Sequence, residues 1–323
     1  MIKFHRYNNE SVKLRMKAMR EDVSMSYYAK CWFDYKTVVV SGASSGIGKG
    51  LVKRLINDHC CNVIGIARNE NKMKALVEEL GEKGDRFFTY RLFDVSVEEN
   101  WKKFADELSE KGIIPDVIIN NAGILPKFDK FLNYSMDDIN RAMQINFYSC
   151  VYSMRAMVPI ILNSPSAALV NVASSAALCA LAGTSIYSAS KSALKSMTDA
   201  VREEYRGRLY VGLVCPGFTK TDIFHNQKEV KNSTSEKALQ MVSTDCDKMV
   251  DMIIEGMWKK KSDMVFGSDA KMMDIGTKLM GVGIPMVANV VMKLSKLELF
   301  EDIYSDDSAA VKGAIRAARK NVK

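Results

Sequence analysis

Short apolar runs alternate with longer segments of helical periodicity between residues 37 and 266. The runs consist largely of apolar residues that favour strands, which is typical of buried strands. The predicted strands are 37–41, 62–67, 87–92, 116–120, 167–173, 209–214 and 263–266. The predicted helices are 47–58, 70–81, 97–111, 136–162, 187–205 and 245–260. This alternation predicts an α/β fold, a doubly wound parallel sheet covered by helices on both faces.

The 323 residues suit one large α/β unit with an extension at each end. We expect a basic extension over residues 1–34, an α/β domain over 35–270 and a helical extension over 271–323. The formal charge of +8 is concentrated at the ends, with eight basic and four acidic residues in 1–36 and five basic and no acidic residues in 310–323. Because the folded body carries about −1, nucleic acid is not an expected partner. The basic ends suit either solvated tails or docking to a membrane surface or a protein.

The seven cysteines are odd in number and include the adjacent pair Cys60 and Cys61. They suit neither a disulfide framework nor a metal site, so a reducing, cytoplasmic location is expected. The three histidines, His5, His59 and His225, are scattered, and no metal is expected. The N-terminal residues are basic and lack an apolar run, so a secretory signal is not expected.

Three glycines, Gly42, Gly46 and Gly48, follow the first predicted strand and lead into a helix. This is the context of a dinucleotide-binding turn. Without side chains at these positions, backbone N–H groups and the helix N-terminus can approach a pyrophosphate.

Tyr187 and Lys191 stand four residues apart on a predicted helix, and Ser174 precedes Tyr187 by thirteen residues. Hydride transfer to a carbonyl needs an acid that protonates the oxygen, and a free tyrosine has a pKa of about 10. The charge of Lys191, one helical turn away on the same face, is expected to favour the phenolate. The hydroxyl of Ser174 can polarise the substrate oxygen, with Ser175 as the adjacent competitor.

The order of five motifs resembles the short-chain dehydrogenase/reductase family over roughly residues 35 to 270. The motifs are the glycine turn, Asn120-Asn121-Ala122-Gly123, Asn146, Ser174 with Tyr187 and Lys191, and Pro216-Gly217 with Thr221. The resemblance implies a Rossmann-type sheet of about seven strands, a nicotinamide cofactor and a substrate lid over about 222–245. His225 in this segment either lines the pocket or faces solvent.

The resemblance also implies roles for single residues. Asn146 would hold a water that leads to Lys191, and Lys191 would bond the nicotinamide ribose. Asp94 would contact the adenine ring, and it equally suits the N-cap of the following helix. The residues expected to bind the cofactor are Gly42, Ser44, Ser45, Gly46, Ile47, Gly48, Arg68, Asp94, Val95, Asn121, Ala122, Gly123, Tyr187, Lys191, Pro216, Gly217, Thr219 and Thr221.

The second predicted strand ends in Ala67 and Arg68, which bear on the cofactor. NAD-preferring sites place a carboxylate at the position of Ala67 to bind the ribose hydroxyl. A guanidinium can instead bind a 2′-phosphate through two charge-assisted hydrogen bonds. We therefore predict NADP(H), with NAD(H) less favoured, and the alternative is that Arg68 is a solvated surface residue.

Ten of the twenty methionines lie between Met241 and Met292. A methionine-rich wall suits a bulky, lipophilic substrate, and ordinary filling of a helix core explains it equally well. The uncharged run from Leu279 to Met292 has 14 residues, which is too short to span a bilayer. It would cover the substrate cleft, pack in an oligomer or lie on a membrane surface.

The sequence therefore predicts an NADP(H)-dependent oxidoreductase that interconverts a ketone and a secondary alcohol. Steroid, bile-acid, ketoacyl and sphingoid-like substrates are candidates that the sequence does not rank. The alternative is a non-catalytic NADP-binding sensor or scaffold, and either protein is compatible with association at a membrane surface. Because relatives associate through their central helices, here 136–162 and 187–205, we expect a homodimer or homotetramer.

Overall fold

The structure of the protein is a computed structural model that describes residues 31–221, 223, 243–281, 283–295 and 303. Most of the two expected extensions therefore lies outside the described residues. The same holds for His225 and for the predicted lid, of which only Ile223 and residues 243–245 are described. Within the described part of the chain, no helix has both the length and the apolar character needed to cross a membrane.

Seven parallel strands form one sheet, which confirms the predicted fold class. Each strand lies within two residues of its predicted bounds. The strands are β1 (Thr37–Ser41), β2 (Asn62–Ala67), β3 (Phe88–Leu92), β4 (Val117–Asn120), β5 (Ala168–Val172), β6 (Tyr210–Pro216) and β7 (Asp263–Phe266). Their order is β3-β2-β1-β4-β5-β6-β7. Because the winding direction reverses between β1 and β4, their carboxyl ends open into a crevice.

Helices cover both faces of the sheet. They are α1 (Gly46–Asn57), α2 (Glu70–Leu80), α3 (Glu82–Phe87), α4 (Glu98–Glu110), α5 (Met136–Met143), α6 (Ser149–Ile161), α7 (Ser185–Glu204), α8 (Cys246–Trp258), α9 (Ser268–Met280) and α10 (Gly283–Ser295). The apolar stripes of α1, α2 and α8 pack on one face. Those of α4, α6 and α7 pack on the other face. Interior strands are therefore buried on both sides, which explains the continuous valines of β1.

The helix predicted over 136–162 is confirmed, with one feature that the sequence did not predict. A π-helical turn, Gln144–Tyr148, joins α5 to α6. Such a turn inserts one residue without changing the apolar character of the segment, so hydropathy does not reveal it. π-turns occur frequently at functional sites, and Asn146 lies inside this one.

Candidate active site

A cavity of about 500 Å³ opens beyond the carboxyl ends of β1, β4, β5 and β6. It is lined by the residues that the sequence predicts to bind a cofactor or to act in catalysis, except for Gly48 and Asn146. These two lie directly behind the wall, against Gly42 and Ile124 respectively. The fold thus brings residues from distant parts of the chain to one place.

The glycine turn between β1 and α1 has a backbone that excludes side chains. Gly42 and Gly46 have φ angles of +68° and +51°, in the left-handed region that favours glycine. A Cβ on Gly48 would lie 2.2 Å from the carbonyl oxygen of Gly42, a backbone atom that cannot move aside. The first turn of α1 has no acidic residue, and its N-cap Ser45 makes no capping hydrogen bond. The N–H groups at this helix end are therefore available to an anion such as a pyrophosphate.

Two asparagines after β4 have different positions. Asn121 Nδ2 donates to the carbonyl oxygen of Ser41 at 3.0 Å, and its backbone N–H donates to Ser41 Oγ at 3.0 Å. Asn120 Nδ2 donates to Asn171 Oδ1 at 2.8 Å. Asn121 therefore fastens the glycine turn and lines the cavity, while Asn120 braces β4 against β5.

Two basic side chains, Arg68 and Lys72, line the cavity next to β2. Arg68 Nη1 lies 3.6 Å from Asp94 Oδ2, and the Arg68 side chain is 61% exposed. Asp94 therefore competes with any phosphate for this guanidinium. Lys72 has no ion-pair partner within 4 Å among the described residues. The sequence did not point to Lys72 as a site residue. Its backbone N–H donates to Oδ1 of Asn69, the N-cap of α2, so Lys72 lies in the first turn of that helix.

The sequence also suggested that Asp94 is the N-cap of the next helix, and this prediction is wrong. Helix α4 begins at Glu98, and its N-cap is Val97. Asp94 Oδ1 instead accepts hydrogen bonds from the N–H and hydroxyl of Ser96 at 2.9 and 2.7 Å. Burial raises the pKa of Asp94, but the hydrogen bonds from Ser96 and the charge of Arg68 outweigh burial and hold it below its usual value. The carboxylate is thus ionised and fixed in place.

Ser174 and Tyr187 meet where β5 and α7 face the cavity. Both side chains line the cavity, and the Ser174 hydroxyl is near enough to the phenol to influence its pKa. Ser174 accepts a bond from the N–H of Ala176 at 3.2 Å and so caps a short 3-10 helix, Ser175–Ala177. Burial raises the pKa of Tyr187, and the Ser174 hydroxyl lowers it by less. Without a bound cofactor, the phenol is therefore protonated at neutral pH.

Lys191 lies one helical turn after Tyr187 on α7 and is almost completely buried. Its Nζ donates to the carbonyl oxygen of Val172 at 3.0 Å and lies 6.0 Å from the centre of the Tyr187 ring. Burial lowers the pKa of Lys191 itself. The expected lowering of the Tyr187 pKa by Lys191 is not found in the chain alone: burial raises that pKa, and the opposing influence comes from Ser174.

Asn146 is fully buried in the π-turn and holds the loop after β4. Its Oδ1 accepts from the N–H of Ile124 at 2.8 Å, and its Nδ2 donates to the carbonyl oxygen of Ile124 and to Ser190 Oγ, both at 3.0 Å. A Cβ on Gly123 would lie 3.2 Å from both Asn146 Oδ1 and Lys191 Nζ. Glycine at position 123 thus allows the asparagine and the lysine to approach the same point.

The loop that follows β6, residues 216–221, is held from behind by α9. Asp269 Oδ2 accepts from the N–H of Phe218 at 2.8 Å. A Cβ on Gly217 would lie 2.1 Å from Asp269 Oδ1, so only glycine fits there. Burial raises the pKa of Asp269. Sequence reasoning missed this support because Asp269 is remote in the chain and belongs to no local motif.

The remaining wall of the cavity is apolar. Its side chains come from the loops after β4, β5 and β6 and from α9. They are Ile124, Leu125, Phe128, Cys179, Leu181, Phe218, Ile223 and Met273. Most of these residues could not be predicted from the sequence, because loop residues follow no hydrophobic period.

Helix α10 contacts the loop 181–184, which carries part of this wall. Asn289 Oδ1 accepts from the N–H of Ala182 at 3.0 Å. Gly183 has a φ angle of +82°, and a Cβ there would lie 2.1 Å from Ile303 Cδ1. The C-terminal part of the chain therefore holds a wall of the cavity, and we call these two contacts the C-terminal clamp.

Residues 36–232 match the family model described as short chain dehydrogenase. The chain is 32% identical over 213 residues to a 3beta-hydroxysteroid dehydrogenase of Mediterraneibacter gnavus, which covers 64% of this chain and 75% of that protein. It is 28% identical over 222 residues to an NADP-dependent 3-hydroxy acid dehydrogenase of Schizosaccharomyces pombe, covering 67% and 86%. A short-chain dehydrogenase structure from Streptomyces avermitilis has the same fold, with a TM-score of 0.66, 23% identity, and coverage of 81% of this chain and 98% of that one.

The family match covers more than half of the chain, and it includes the glycine turn together with Ser174, Tyr187 and Lys191. The strand order is that of the Rossmann-type fold, which the short-chain dehydrogenase from Streptomyces avermitilis shares. On this evidence the chain belongs to the short-chain dehydrogenase/reductase family of nicotinamide-dependent oxidoreductases.

Proposed function

We propose that the protein is an NADP(H)-dependent reductase or dehydrogenase that interconverts a ketone and a secondary alcohol on a lipophilic substrate. The observation that carries the proposal is the meeting of Ser174, Tyr187 and Lys191 at the cavity that also contains the glycine turn. A sensor or scaffold that only bound the cofactor would need the turn but not the proton donor. The intact donor set therefore favours catalysis.

The residues present fit a dinucleotide. A Cβ at Gly42 or Gly48 would approach neighbouring backbone atoms to within 3 Å, so the turn is shaped for close approach of a ligand to the main chain. The uncapped N-terminus of α1 suits the two negative charges of the pyrophosphate. Tyr187 and Lys191 line the same cavity, where the nicotinamide end would lie.

The chemistry divides between the cofactor and the chain. When bound, the reduced nicotinamide supplies the hydride. Tyr187, which burial keeps protonated, gives its hydroxyl proton to the substrate oxygen. Ser174, which lines the cavity beside Tyr187, holds that oxygen in place and stabilises the charge that develops on it. Lys191 has N–H groups beyond the one that bonds Val172, and these suit the nicotinamide ribose.

Substitution of the proton donor tests the proposal. Tyr187→Phe should abolish turnover and leave the dissociation constant for NADPH nearly unchanged, because it removes only the hydroxyl. Tyr205→Phe, at the far end of the same helix, is the matched control and should behave as wild type. More than a tenth of wild-type turnover in Tyr187→Phe would contradict the assignment.

A comparison of alanine substitutions at Ser174 and at its neighbour Ser175 tests which serine holds the substrate oxygen. Ser174→Ala should lower turnover by about two to three orders of magnitude, as for the loss of one oxyanion-type donor. Ser175→Ala should have a much smaller effect, because Ser174 and not Ser175 influences the pKa of Tyr187. The reverse ranking of these two variants would transfer the role to Ser175.

The proposed preference for NADP(H) is supported by Arg68 and Lys72, which place two positive charges next to β2. The similar protein from Schizosaccharomyces pombe is named NADP-dependent. The residue at the end of β2, Ala67, brings no carboxylate that would repel a phosphate. Rates with both coenzymes provide the direct test.

The proposed substrate class is supported by the apolar wall of the cavity, which includes Phe128, Leu181 and Met273. A cavity of about 500 Å³ accommodates a lipophilic ring system beside the nicotinamide. The similar protein from Mediterraneibacter gnavus acts, by its name, on a hydroxysteroid. NADPH oxidation measured against steroid, ketoacyl and small aliphatic ketones tests the proposal, which requires higher kcat/KM for the bulky ketones.

The proposed oligomer is supported by one face of α7. Its exposed positions repeat at helical spacing and carry small residues, namely Ala189, Ser192, Ser196 and Ala200. Such a face allows two helices to approach closely in a dimer or tetramer. Light scattering tests this, and a monomer at micromolar concentration would contradict it.

The proposed cytoplasmic location is supported by the state of the seven cysteines, which are all free thiols. Peripheral membrane contact through the basic ends concerns segments that lie mostly outside the described residues. Co-sedimentation with anionic vesicles, compared between full-length protein and a chain lacking residues 310–323, tests that contact.

A further inference from the structure

Three side chains able to bind a metal meet at the edge of the sheet opposite the cavity. Cys31 and Asp34 lie in the turn before β1, and His59 lies between α1 and β2. Cys31 Sγ, a carboxylate oxygen of Asp34 and a ring nitrogen of His59 all lie within 4.8 Å of one another. In a tetrahedral zinc site, such ligand atoms are about 3.5 Å apart. Side-chain shifts of about 1 Å would therefore close the site.

The two segments that carry these side chains are already fastened to each other. The N–H of Tyr35 donates to the carbonyl oxygen of His59 at 2.9 Å, and the Cys61 thiol donates to that of Phe33 at 3.2 Å. His59 Nδ1 lies 2.7 Å from Asp34 Oδ1. The ligand atoms are thus held near their final positions by bonds that do not depend on a metal.

Burial and charge at this cluster suit a divalent cation. Cys31 is 8% exposed, and the side chains of Asp34 and His59 are 18% and 16% exposed. The Cys31 N–H donates to Asp34 Oδ2 at 2.8 Å, which holds the carboxylate beside the thiol. A divalent cation would neutralise the thiolate and the carboxylate together and thereby favour loss of the thiol proton.

We propose that Cys31, Asp34 and His59 bind one Zn²⁺ ion, with a water molecule as the fourth ligand. On binding, the thiol proton of Cys31 passes to solvent. The proton on His59 Nδ1 moves through solvent to Nε2, so that Nδ1 exchanges its hydrogen bond with Asp34 for a bond to the metal. Sulfur, nitrogen and oxygen ligands together suit Zn²⁺, whereas Mg²⁺ and Ca²⁺ take oxygen ligands.

The sequence did not reveal this site because its ligands follow no common metal-binding spacing. Two of them precede β1, and the third follows only after β1, the glycine turn and α1. In the fold, the turn before β1 and the end of α1 lie side by side. The ion would fasten the chain that enters the sheet to the α1–β2 loop without contacting the cavity.

Cobalt titration of the untagged, full-length protein, after dialysis against a chelator, tests the proposal. Wild-type protein should bind one equivalent of Co²⁺ with a thiolate-to-cobalt charge-transfer absorption, and Zn²⁺ should displace the Co²⁺. Zn²⁺ should also raise the melting temperature, because it binds only the folded chain. Cys31→Ser should remove the absorption band and weaken Zn²⁺ binding by at least about tenfold.

Two further variants separate the site from other thiols. Cys60→Ser changes a cysteine adjacent to His59 but outside the cluster, and it should leave the band and the affinity unchanged. His59→Ala keeps the thiol and should weaken Zn²⁺ binding by at least about tenfold, which covers the case that Cys31→Ser does not fold. A band that persists in Cys31→Ser, a band that is lost in Cys60→Ser, or a wild-type end point far below one equivalent would overturn the proposal.

Discussion

The two ends of the active-site cavity are built in different ways. The end next to β1 and β2 is formed mostly by backbone, in a turn where Gly42 and Gly46 line the cavity and Gly48 packs against the carbonyl oxygen of Gly42. The end beyond β5 and β6 is formed by apolar side chains in loops that α9 and α10 hold in place. Cofactor binding in our proposal therefore depends on main-chain geometry, and substrate choice depends on side chains.

This difference implies that each end can be changed without the other. The glycine turn is fastened by residues that follow β1 and β4, such as Ser41 and Asn121. The substrate end is fastened by the C-terminal clamp and by Asp269. A substitution at one end should thus alter the dissociation constant of the cofactor, and one at the other end should alter the KM of the ketone.

The largest effect is expected at the glycine turn. Gly48→Ala would place a Cβ 2.2 Å from a backbone oxygen, so the turn must shift. We expect the affinity for NADPH to fall about a hundredfold or more, since the pyrophosphate contacts depend on that backbone. Fluorescence titration with NADPH measures the change.

Gly50→Ala is the matched control on the same helix. Its Cβ would meet only the Val250 side chain, at 2.7 Å. The variant should lower the melting temperature and leave cofactor affinity close to wild type. Equal losses of affinity in both variants would show that the turn depends on helix packing instead of backbone approach.

The pH profile should differ between the two directions of the reaction. Because burial raises the pKa of Tyr187, the group is protonated below that pKa and can act directly as the acid in ketone reduction. Alcohol oxidation needs the deprotonated form, so its kcat/KM should rise about tenfold per pH unit from neutral to alkaline pH. Reduction should stay level over the same range. Parallel profiles in both directions would contradict Tyr187 as the titrating group.

An intermediate effect is expected for the two cations next to β2. Arg68→Ala and Lys72→Ala should each reduce the preference for NADPH over NADH, and the double variant should lose about ten- to a hundredfold. Because Asp94 already pairs with Arg68, we expect Lys72 to contribute at least as much as Arg68. The measurement is kcat/KM for both coenzymes with one ketone.

Lys74→Ala is the control for this pair, because Lys74 is on the same helix but is paired with Glu70 at 2.8 Å. It should leave the coenzyme ratio unchanged. Adding Ala67→Asp to Arg68→Ala should invert the ratio, since a carboxylate there repels phosphate and accepts bonds from free ribose hydroxyls. A wild-type enzyme that prefers NADH would refute the assignment.

The smallest effect is expected at the C-terminal clamp. Asn289→Ala removes the acceptor for the N–H of Ala182 and should loosen the loop 181–184. We expect KM for bulky ketones to rise about five- to tenfold, with NADPH affinity and KM for small ketones nearly unchanged. Lys293→Ala, an exposed change on the same helix, should have no effect. A uniform loss for all ketones would indicate a folding defect.

The parts of the molecule that the sequence predicts well are those that local patterns determine. The strands follow from Val- and Ile-rich runs, and the glycine turn follows from its position between a strand and a helix. Tyr187 and Lys191 share a face because four residues make about one helical turn. Each of these features is visible within a few residues of chain.

The features that the sequence missed depend on contacts between distant segments. Asp269 reaches the loop at Phe218 only after β7 is placed. Lys72 is an exception, because it lies only five residues after the end of β2 and reaches the cavity from the first turn of α2. The π-turn at Asn146 leaves the apolar pattern intact and changes only the hydrogen bonding. Burial likewise decides the pKa of Tyr187, and no pattern of residue types reports burial of a single hydroxyl.

During synthesis of the chain, the clamp between Asn289 and the loop 181–184 can form only after the glycine turn and Tyr187 have been made. The glycine turn and Tyr187 leave the ribosome about a hundred residues or more before Asn289 does. A nascent chain could therefore assemble the glycine turn while the apolar wall of the cavity is still incomplete. For the same reason, recombination that exchanges only the last helices would alter the support of that wall and leave the glycine turn as inherited.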